Sequence, residues 1–194
     1  MLYYFFPILN YSIWIGRYTR KYDQKDFLNA VKLNESLSIP NNNNSIWVEI
    51  NNRAFNSVND QVKRFLESNV NRKFDNYAEH YWVYTQQENY NQDWMHQHLN
   101  VHPSSRSKIQ TDYSFTFYIK QLDNLKGNEG SIIFRTEDDK EHIFKPKTLD
   151  LFIFPGDLWH KAVPTPNHKE KRIVYAGSLA FDVLNPPSRK KNVF

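Results

Sequence analysis

Seven histidines punctuate the chain, and the spacing of three of them is suited to a metal site. His96 and His98 are separated by a single residue. On a strand, side chains two positions apart leave the same face, with their Cα atoms roughly 6–7 Å apart. That suits two imidazoles binding one ion at about 2 Å each. His160 comes much later, after the apolar run Leu149 to Phe154 and the turn Pro155-Gly156-Asp157. Two ligands close in sequence and one from a distant strand would hold an ion on one face, leaving its other positions open to further ligands. The chain has no cysteine, so a metal site here must be built from His, Asp and Glu.

Arg172 opens the strand-like run Arg172-Ile-Val-Tyr-Ala-Gly-Ser-Leu-Ala-Phe, twelve residues after His160. Its fork of donors can bind a carboxylate through two parallel hydrogen bonds, which lysine cannot do. Burying such a group without a partner is unfavourable, so an arginine inside the fold asks for an anion. The other histidines carry less. His102 stands four residues after His98, a helical rather than a strand interval. His80, His142 and His168 lie in polar or charged surroundings and read as surface residues. Asp157 reads as a turn former. Trp94 and Trp159 each flank a candidate ligand, where lining a pocket and packing explain them equally well.

The elements that must position these groups are mostly strands. Segments rich in Ile, Val, Phe and Tyr run over Tyr81 to Thr85, Tyr113 to Lys120, Ser131 to Arg135, Glu141 to Phe144, Leu149 to Phe154 and Arg172 to Phe181. Turn signals such as Lys126-Gly127-Asn128 separate them. Many short strands without intervening helices indicate a sandwich or a barrel. Before them the pattern is helical. Asp23 is placed to cap a helix with apolar positions Phe27, Ala30, Val31 and Leu33. Ser57 and Asp60 resemble a capping box ahead of the stripe Val58, Val62, Phe65, Leu66 and Val70. Asn41 to Asn44 read as a loop, Asn100 to Thr111 as a rim loop carrying Arg106 and Lys108, and residues from Asn185 onward as a tail. The expected organisation is one domain over 1–184, with 1–75 as helical support and 76–184 as the β core, followed by a tail over 185–194.

Composition removes several classes. Forty per cent apolar and 16% aromatic residues allow a buried core in a chain of 194 residues, which a disordered chain would lack. Only 5 glycines are present, and neither a G-x-G-x-x-G nor a P-loop pattern occurs, which removes the commonest nucleotide-binding readings. The net charge of +4 is spread along the chain apart from Arg189, Lys190 and Lys191, and makes nucleic acid no more than one open partner. Met1 to Leu9 is apolar but has no basic n-region or small-residue cleavage site and is broken by Pro7 and Asn10. It reads as a buried first strand rather than a signal or a span, and a cytoplasmic protein without a membrane partner is expected.

From Tyr81 to Asp182 the chain resembles the iron(II)- and 2-oxoglutarate-dependent oxygenases, within them the prolyl-hydroxylase-like branch. That family's order is H-x-D, a Tyr-rich strand, a Gly-containing turn before a strand, an apolar strand ending in a Pro or Trp turn, H, then R on the following strand. Here the corresponding segments are His96-Gln97-His98, Phe115-Thr116-Phe117-Tyr118, Gly130-Ser131-Ile132-Ile133-Phe134, Leu151-Phe152-Ile153-Phe154-Pro155-Gly156-Asp157-Leu158-Trp159-His160, and Lys171-Arg172-Ile173-Val174-Tyr175. The resemblance covers about half the chain. It implies a mainly β fold, a double-stranded β-helix (the cupin-like jelly-roll barrel) supported by N-terminal helices. It implies His96 and His160 as iron ligands, and Arg172 as partner of the distal carboxylate of 2-oxoglutarate, with Tyr118 or else Tyr84 assisting. The chemistry implied is hydroxylation of a C–H bond with O₂, releasing succinate and CO₂. Where the family has Asp, this chain has His98, an H-x-H version that also resembles a group of small oxygenase-like proteins of this type.

Three readings follow. The first is the 2-oxoglutarate oxygenase. The second is a three-histidine cupin-type dioxygenase that binds its organic substrate directly to the metal and does not use 2-oxoglutarate. The third is a non-catalytic jelly-roll binding module. A protein side chain, a nucleic acid and a small molecule all remain open as substrate, and the oligomeric state is unreadable.

Overall fold

The computed structural model describes residues 4–8, 11–18, 22–35, 45–46, 52–70, 78–86, 94–99, 111–165 and 168–181. In chain order they form β1 (Tyr4–Ile8), β2 (Tyr11–Arg17), α1 (Gln24–Glu35), β3 (Ser45–Ile46), α2 (Arg53–Val70), β4 (Ala78–Gln86), β5 (Tyr113–Lys120), β6 (Ile132–Arg135), β7 (Glu141–Phe144), β8 (Asp150–Pro155), β9 (Trp159–Ala162) and β10 (Arg172–Ala180). Seven strands make one sheet in the order β1-β2-β8-β5-β10-β4-β3, and three make a second in the order β7-β6-β9. All the strand pairs are antiparallel. The Asn41–Asn44 loop, His102 with the rim segment from Asn100 to Gln110, and the C-terminal tail lie outside the described residues.

From β4 onward the chain crosses repeatedly between the sheets. β4, β5, β8 and β10 belong to the large one, and β6, β7 and β9 to the small one. A single bridge, His96 to His160, ties the segment between β4 and β5 to the small sheet. The expected barrel is therefore two sheets, with no ladder joining them among the described residues. Closure into a barrel needs continuous hydrogen bonding round the circumference. Here side chains from the two inner faces fill the space instead, as in a sandwich. Ile13, Tyr118, Phe152, Phe154 and Val174 from the large sheet meet Ile132 and Phe134 from the small one, all buried.

The outer face of the large sheet is also covered. Val83, Phe115, Phe117, Ile119, Leu151, Ile153, Tyr175 and Leu179 pack with Phe27, Phe55, Val58, Val62 and Leu66 of the two helices. A sheet apolar on both faces explains the unbroken run Leu151-Phe152-Ile153-Phe154 in β8, whose residues alternate between the two cores. Each such side chain contributes about 1.5–3 kcal/mol by leaving water.

The helices differ from expectation in their details. Asp23 caps α1 as expected: its carboxylate accepts from the Asp26 amide at 3.1 Å, and Asp26 returns the bond to the Asp23 amide at 2.9 Å. Leu33, however, is 63% exposed; six positions beyond Phe27, it falls off the buried stripe. Helix α2 begins four residues before Ser57. Its cap is Asn52, whose side chain accepts from the Ala54 amide at 2.8 Å. Ser57 lies inside the helix, bonding back to the Ala54 carbonyl at 2.8 Å and meeting the Tyr18 hydroxyl.

The N-terminal part also supplies strands. β1 is the outer edge strand with Pro7 exposed, a position where a missing ladder donor is tolerated. β2 runs between β1 and β8, placing Ile13 in the inner core and Trp14 in the helix-facing one. No helix among the described residues is long and apolar enough to cross a membrane.

Candidate metal centre

The histidines converge because a turn and a bridge strap two segments together. His96 and His160 exchange backbone hydrogen bonds of 2.9 and 3.0 Å. The His98 amide donates to the Gly156 carbonyl at 2.8 Å, and the Gln97 side chain donates to the Asp157 carbonyl. The Gly156 amide in turn donates to the Asp112 carbonyl at 3.0 Å. A Cβ at position 156 would stand 2.6 Å from Thr111 Cγ2 and 2.9 Å from the Thr111 carbonyl oxygen, so the close approach requires glycine. His96 and His98 lie not on a full strand but on a segment whose one β-bridge pairs His96 with His160, while His160 sits on a strand of its own, β9. Asp157 serves the turn through its backbone, as expected.

The rings themselves are close. Centroids lie 4.4 Å apart for His96 and His160, 4.9 Å for His98 and His160, and 5.2 Å for His96 and His98. One ligand atom from each residue falls within 4.8 Å of the others. An ion binding each nitrogen at about 2.0–2.1 Å would draw them somewhat closer. Among the described residues this is the one His/Cys/Asp/Glu group of that kind, and it includes no carboxylate. His160 Nδ1 lies 2.9 Å from the Leu158 carbonyl; donating there leaves Nε2 as the free lone pair. Phe154 packs on His160 at 4.7 Å, and Trp82 packs on His98 at 5.3 Å.

All three imidazoles are held neutral. Burial lowers the pKa of His96, and burial followed by repulsion from His96 and His80 pushes His98 down to about 3. His160 lies well below its ordinary value, through burial and then through His98 and His96. Metal ligation needs unprotonated nitrogens, so the cluster is ready without releasing protons near neutral pH. A stability consequence follows. Below about pH 6.5 the unfolded chain takes up protons that the folded cluster refuses, so the unfolded state binds more protons and stability falls as pH is lowered toward 3. For each group, a tenfold difference in proton affinity between the folded and unfolded chain corresponds to about 1.4 kcal/mol. Thermal melts of metal-free protein should show the melting temperature dropping steadily from pH 7 to pH 4. A flat profile would mean the rings are protonated in the folded state.

Arg172, at the start of β10, is completely buried. Its Nη2 reaches the Tyr84 hydroxyl at 3.5 Å, and its Nε and Nη1 have no hydrogen-bond partner. The register explains its surroundings. Val174, two residues on and therefore on the same face, lies opposite Tyr84 on β4 and Tyr118 on β5. Tyr118 is buried, and its phenol pKa is raised, first by burial and then by Tyr84, with Arg172 pulling the other way. It is a neutral donor at any ordinary pH. Trp82 lies two residues before Tyr84, so the guanidinium, both phenols and the indole against His98 share the inner face of the large sheet. A buried cation with two vacant donors, on the face that meets the histidines, suits a carboxylate.

Other sequence-based assignments change. His80 faces inward, opposite Ser178, and stacks on Trp82 at 5.3 Å. His142 is half-buried opposite Phe134, with its Nε2 shut off from solvent. Neither is a fully exposed surface residue: each is half-buried with one ring nitrogen shut off from solvent. His168 pairs with Glu129 at 3.3 Å. Trp94 is 58% exposed, and Trp159, on the face of β9 opposite to His160, is 46% exposed. The tryptophan whose ring packs on a ligand among the described residues is Trp82, while Trp94 meets His96 Nδ1 only through its carbonyl, at 3.5 Å; the alternation Trp82-Val83-Tyr84 carried the signal for Trp82.

No protein-family model matches the chain, and no curated protein matches it in sequence. Solved structures do match in fold. A Pseudomonas putida prolyl-4-hydroxylase aligns with a TM-score of 0.57 at 13% identity, covering 87% of this chain and 92% of that one. The 2OG complex of the viral collagen prolyl hydroxylase from Paramecium Bursaria Chlorella virus-1 aligns at 0.60 and 14%, covering 86% and 95%. A Trichoplax adhaerens prolyl hydroxylase, in complex with a hypoxia inducible factor oxygen degradation domain peptide fragment, aligns at 0.62 and 12%, covering 87% and 83%. At these identities the likeness is one of fold.

Proposed function

We propose that the chain is an iron(II)- and 2-oxoglutarate-dependent dioxygenase of the hydroxylase type. Its two sheets are read as a double-stranded β-helix, and residues 1–184 as one domain with α1 and α2 as support. The observation that carries this reading is the buried Arg172, whose Nε and Nη1 lack partners, on the face that meets a cluster of three histidines. In this reading His96, His98 and His160 hold the metal, and Arg172 takes the distal carboxylate of 2-oxoglutarate with Tyr118 and Tyr84. When bound, iron(II) with 2-oxoglutarate and O₂ supplies an oxidant for a C–H bond, leaving succinate and CO₂. The chain's own contribution is placement. Trp82 and Phe154 brace two ligand rings and keep water from them. The neutral phenols donate hydrogen bonds to an anion whose charge the guanidinium offsets. Three neutral ligands leave the metal's +2 charge undiminished, which strengthens attraction for a dianionic cosubstrate.

The all-histidine ligand set favours a second reading, a three-histidine dioxygenase that binds its organic substrate to the metal without 2-oxoglutarate. Anaerobic iron(II) titration with and without 2-oxoglutarate separates the two. The oxygenase reading expects a visible charge-transfer band only when both are present, then succinate formation on admitting O₂. Iron binding with no band, and oxygen uptake indifferent to 2-oxoglutarate, would replace it with the second reading. No iron binding at all would leave a binding module. The substrate remains to be found among protein side chains, nucleic acids and small molecules.

A further inference from the structure

We propose that Gln97, the residue between His96 and His98, is a positioning residue of the metal centre. Its side-chain amide replaces a missing rung of backbone pairing and so fixes how far His98 stands from His160. The inference rests on the reading that the three histidines hold a metal ion, and it begins from a mismatch in register. His96 and His160 exchange backbone hydrogen bonds, and the His98 amide donates to the Gly156 carbonyl. Between those two rungs one side has a single residue, Gln97. The other side has three, Asp157, Leu158 and Trp159. A bulge of this kind interrupts the ladder and leaves backbone groups of the longer side without a facing partner.

Side chains of the metal centre meet the first two carbonyls of that bulge. The Leu158 carbonyl lies 2.9 Å from His160 Nδ1, and the Asp157 carbonyl accepts from Gln97 Nε2. On extended backbone the middle residue of a trio leaves the face that its neighbours share. Gln97 therefore braces the segment without competing for the ion. Its residue type matches the task. Asparagine carries the same donor one methylene shorter, an ionised glutamate only accepts, and lysine or arginine would set a positive charge beside a divalent cation. Bracing matters more here than in a site with a carboxylate. Three neutral imidazoles offer the ion no opposite charge, so affinity depends on holding the rings in place before it arrives. Without the Gln97 amide the span between the two rungs is unbraced. The bulge is then free to relax, and with it the 4.9 Å separation of the His98 and His160 rings.

The test uses cobalt(II), which binds imidazole sites and reports their geometry through its visible absorption bands. Wild type is compared with Gln97→Met, which keeps the length and loses the donor, and with Gln97→Asn, whose amide falls short. Tyr175→Phe is the control. It removes a buried 2.7 Å hydrogen bond to Asn59 on the helix-facing side of the sheet, away from the histidines. Cobalt(II) affinity is measured by competition with a chelator, and melting temperature on metal-free protein. Both Gln97 variants should bind cobalt(II) about three- to tenfold more weakly, the scale of one net hydrogen bond, with altered bands. Tyr175→Phe should melt lower than wild type yet keep its cobalt(II) affinity and spectrum. The asparagine variant carries the comparison if the methionine variant does not fold. Wild-type affinity and bands in the Gln97 variants would overturn the proposal. So would equal weakening in Tyr175→Phe, which would make the loss one of general stability. Absence of cobalt(II) binding by the wild type would instead overturn the metal-centre reading beneath it.

Discussion

Replacing His160 by alanine is expected to abolish iron binding and 2-oxoglutarate turnover together while leaving the secondary structure in place. His160 is 4% exposed and is the one ligand that belongs to a regular strand. Its Nδ1 contact with the Leu158 carbonyl and the Phe154 ring against it fix its orientation. Losing an outer partner of a metal ligand typically weakens metal binding 10–100-fold; losing the ligand itself should exceed about 100-fold. Turnover should then fall below detection, because two imidazoles cannot hold the ion. Metal content of gel-filtered protein, with circular dichroism as the folding control, checks this. Wild-type metal content in the variant would remove His160 from the centre. The same variant should also flatten part of the acid-induced loss of stability, since one of the strongly proton-refusing groups is gone.

The metal cluster was legible in the chain because its signal is a spacing of rare residue types. His-x-His, an apolar run, a Pro-Gly-Asp turn and a third histidine constrain geometry without any knowledge of packing. Strands β5, β7 and β10 were legible through their dense β-branched and aromatic content. β9 was not, since Trp-His-Lys-Ala offers one buried residue in four and owes its ladder to β6. The start of α2 was placed too far along the chain for a different reason. Asn52 and Ser57 are both competent cap types; Asn52 takes the role, and Ser57 lies one turn further on, bonded to the Ala54 carbonyl and to Tyr18. His80 and Trp82 were missed because polarity of sequence neighbours is a poor guide on a strand, where adjacent residues face opposite sides.

Replacing Arg172 by methionine should move two measurements in opposite directions. Affinity for 2-oxoglutarate should fall by roughly 30-fold to several thousand-fold, the equivalent of about 2–5 kcal/mol for a lost buried charged hydrogen bond. The ligand-free protein should become more stable. In the free state the guanidinium is fully buried, with Nε and Nη1 unsatisfied and a single 3.5 Å contact to Tyr84. Replacing a buried ionic group by an apolar one of similar shape is often stabilising by about 1–4 kcal/mol. At the scale of a chain this size, each kcal/mol raises the melting temperature by about 2–4 °C. A lysine there would keep the charge but lose the fork, so Arg172→Lys should recover little affinity. A structural arginine predicts the reverse signature: methionine would lower the melting temperature and leave the cosubstrate untouched. The opposition of the two effects is therefore the test, because only a group kept at the expense of stability for a bound anion produces both.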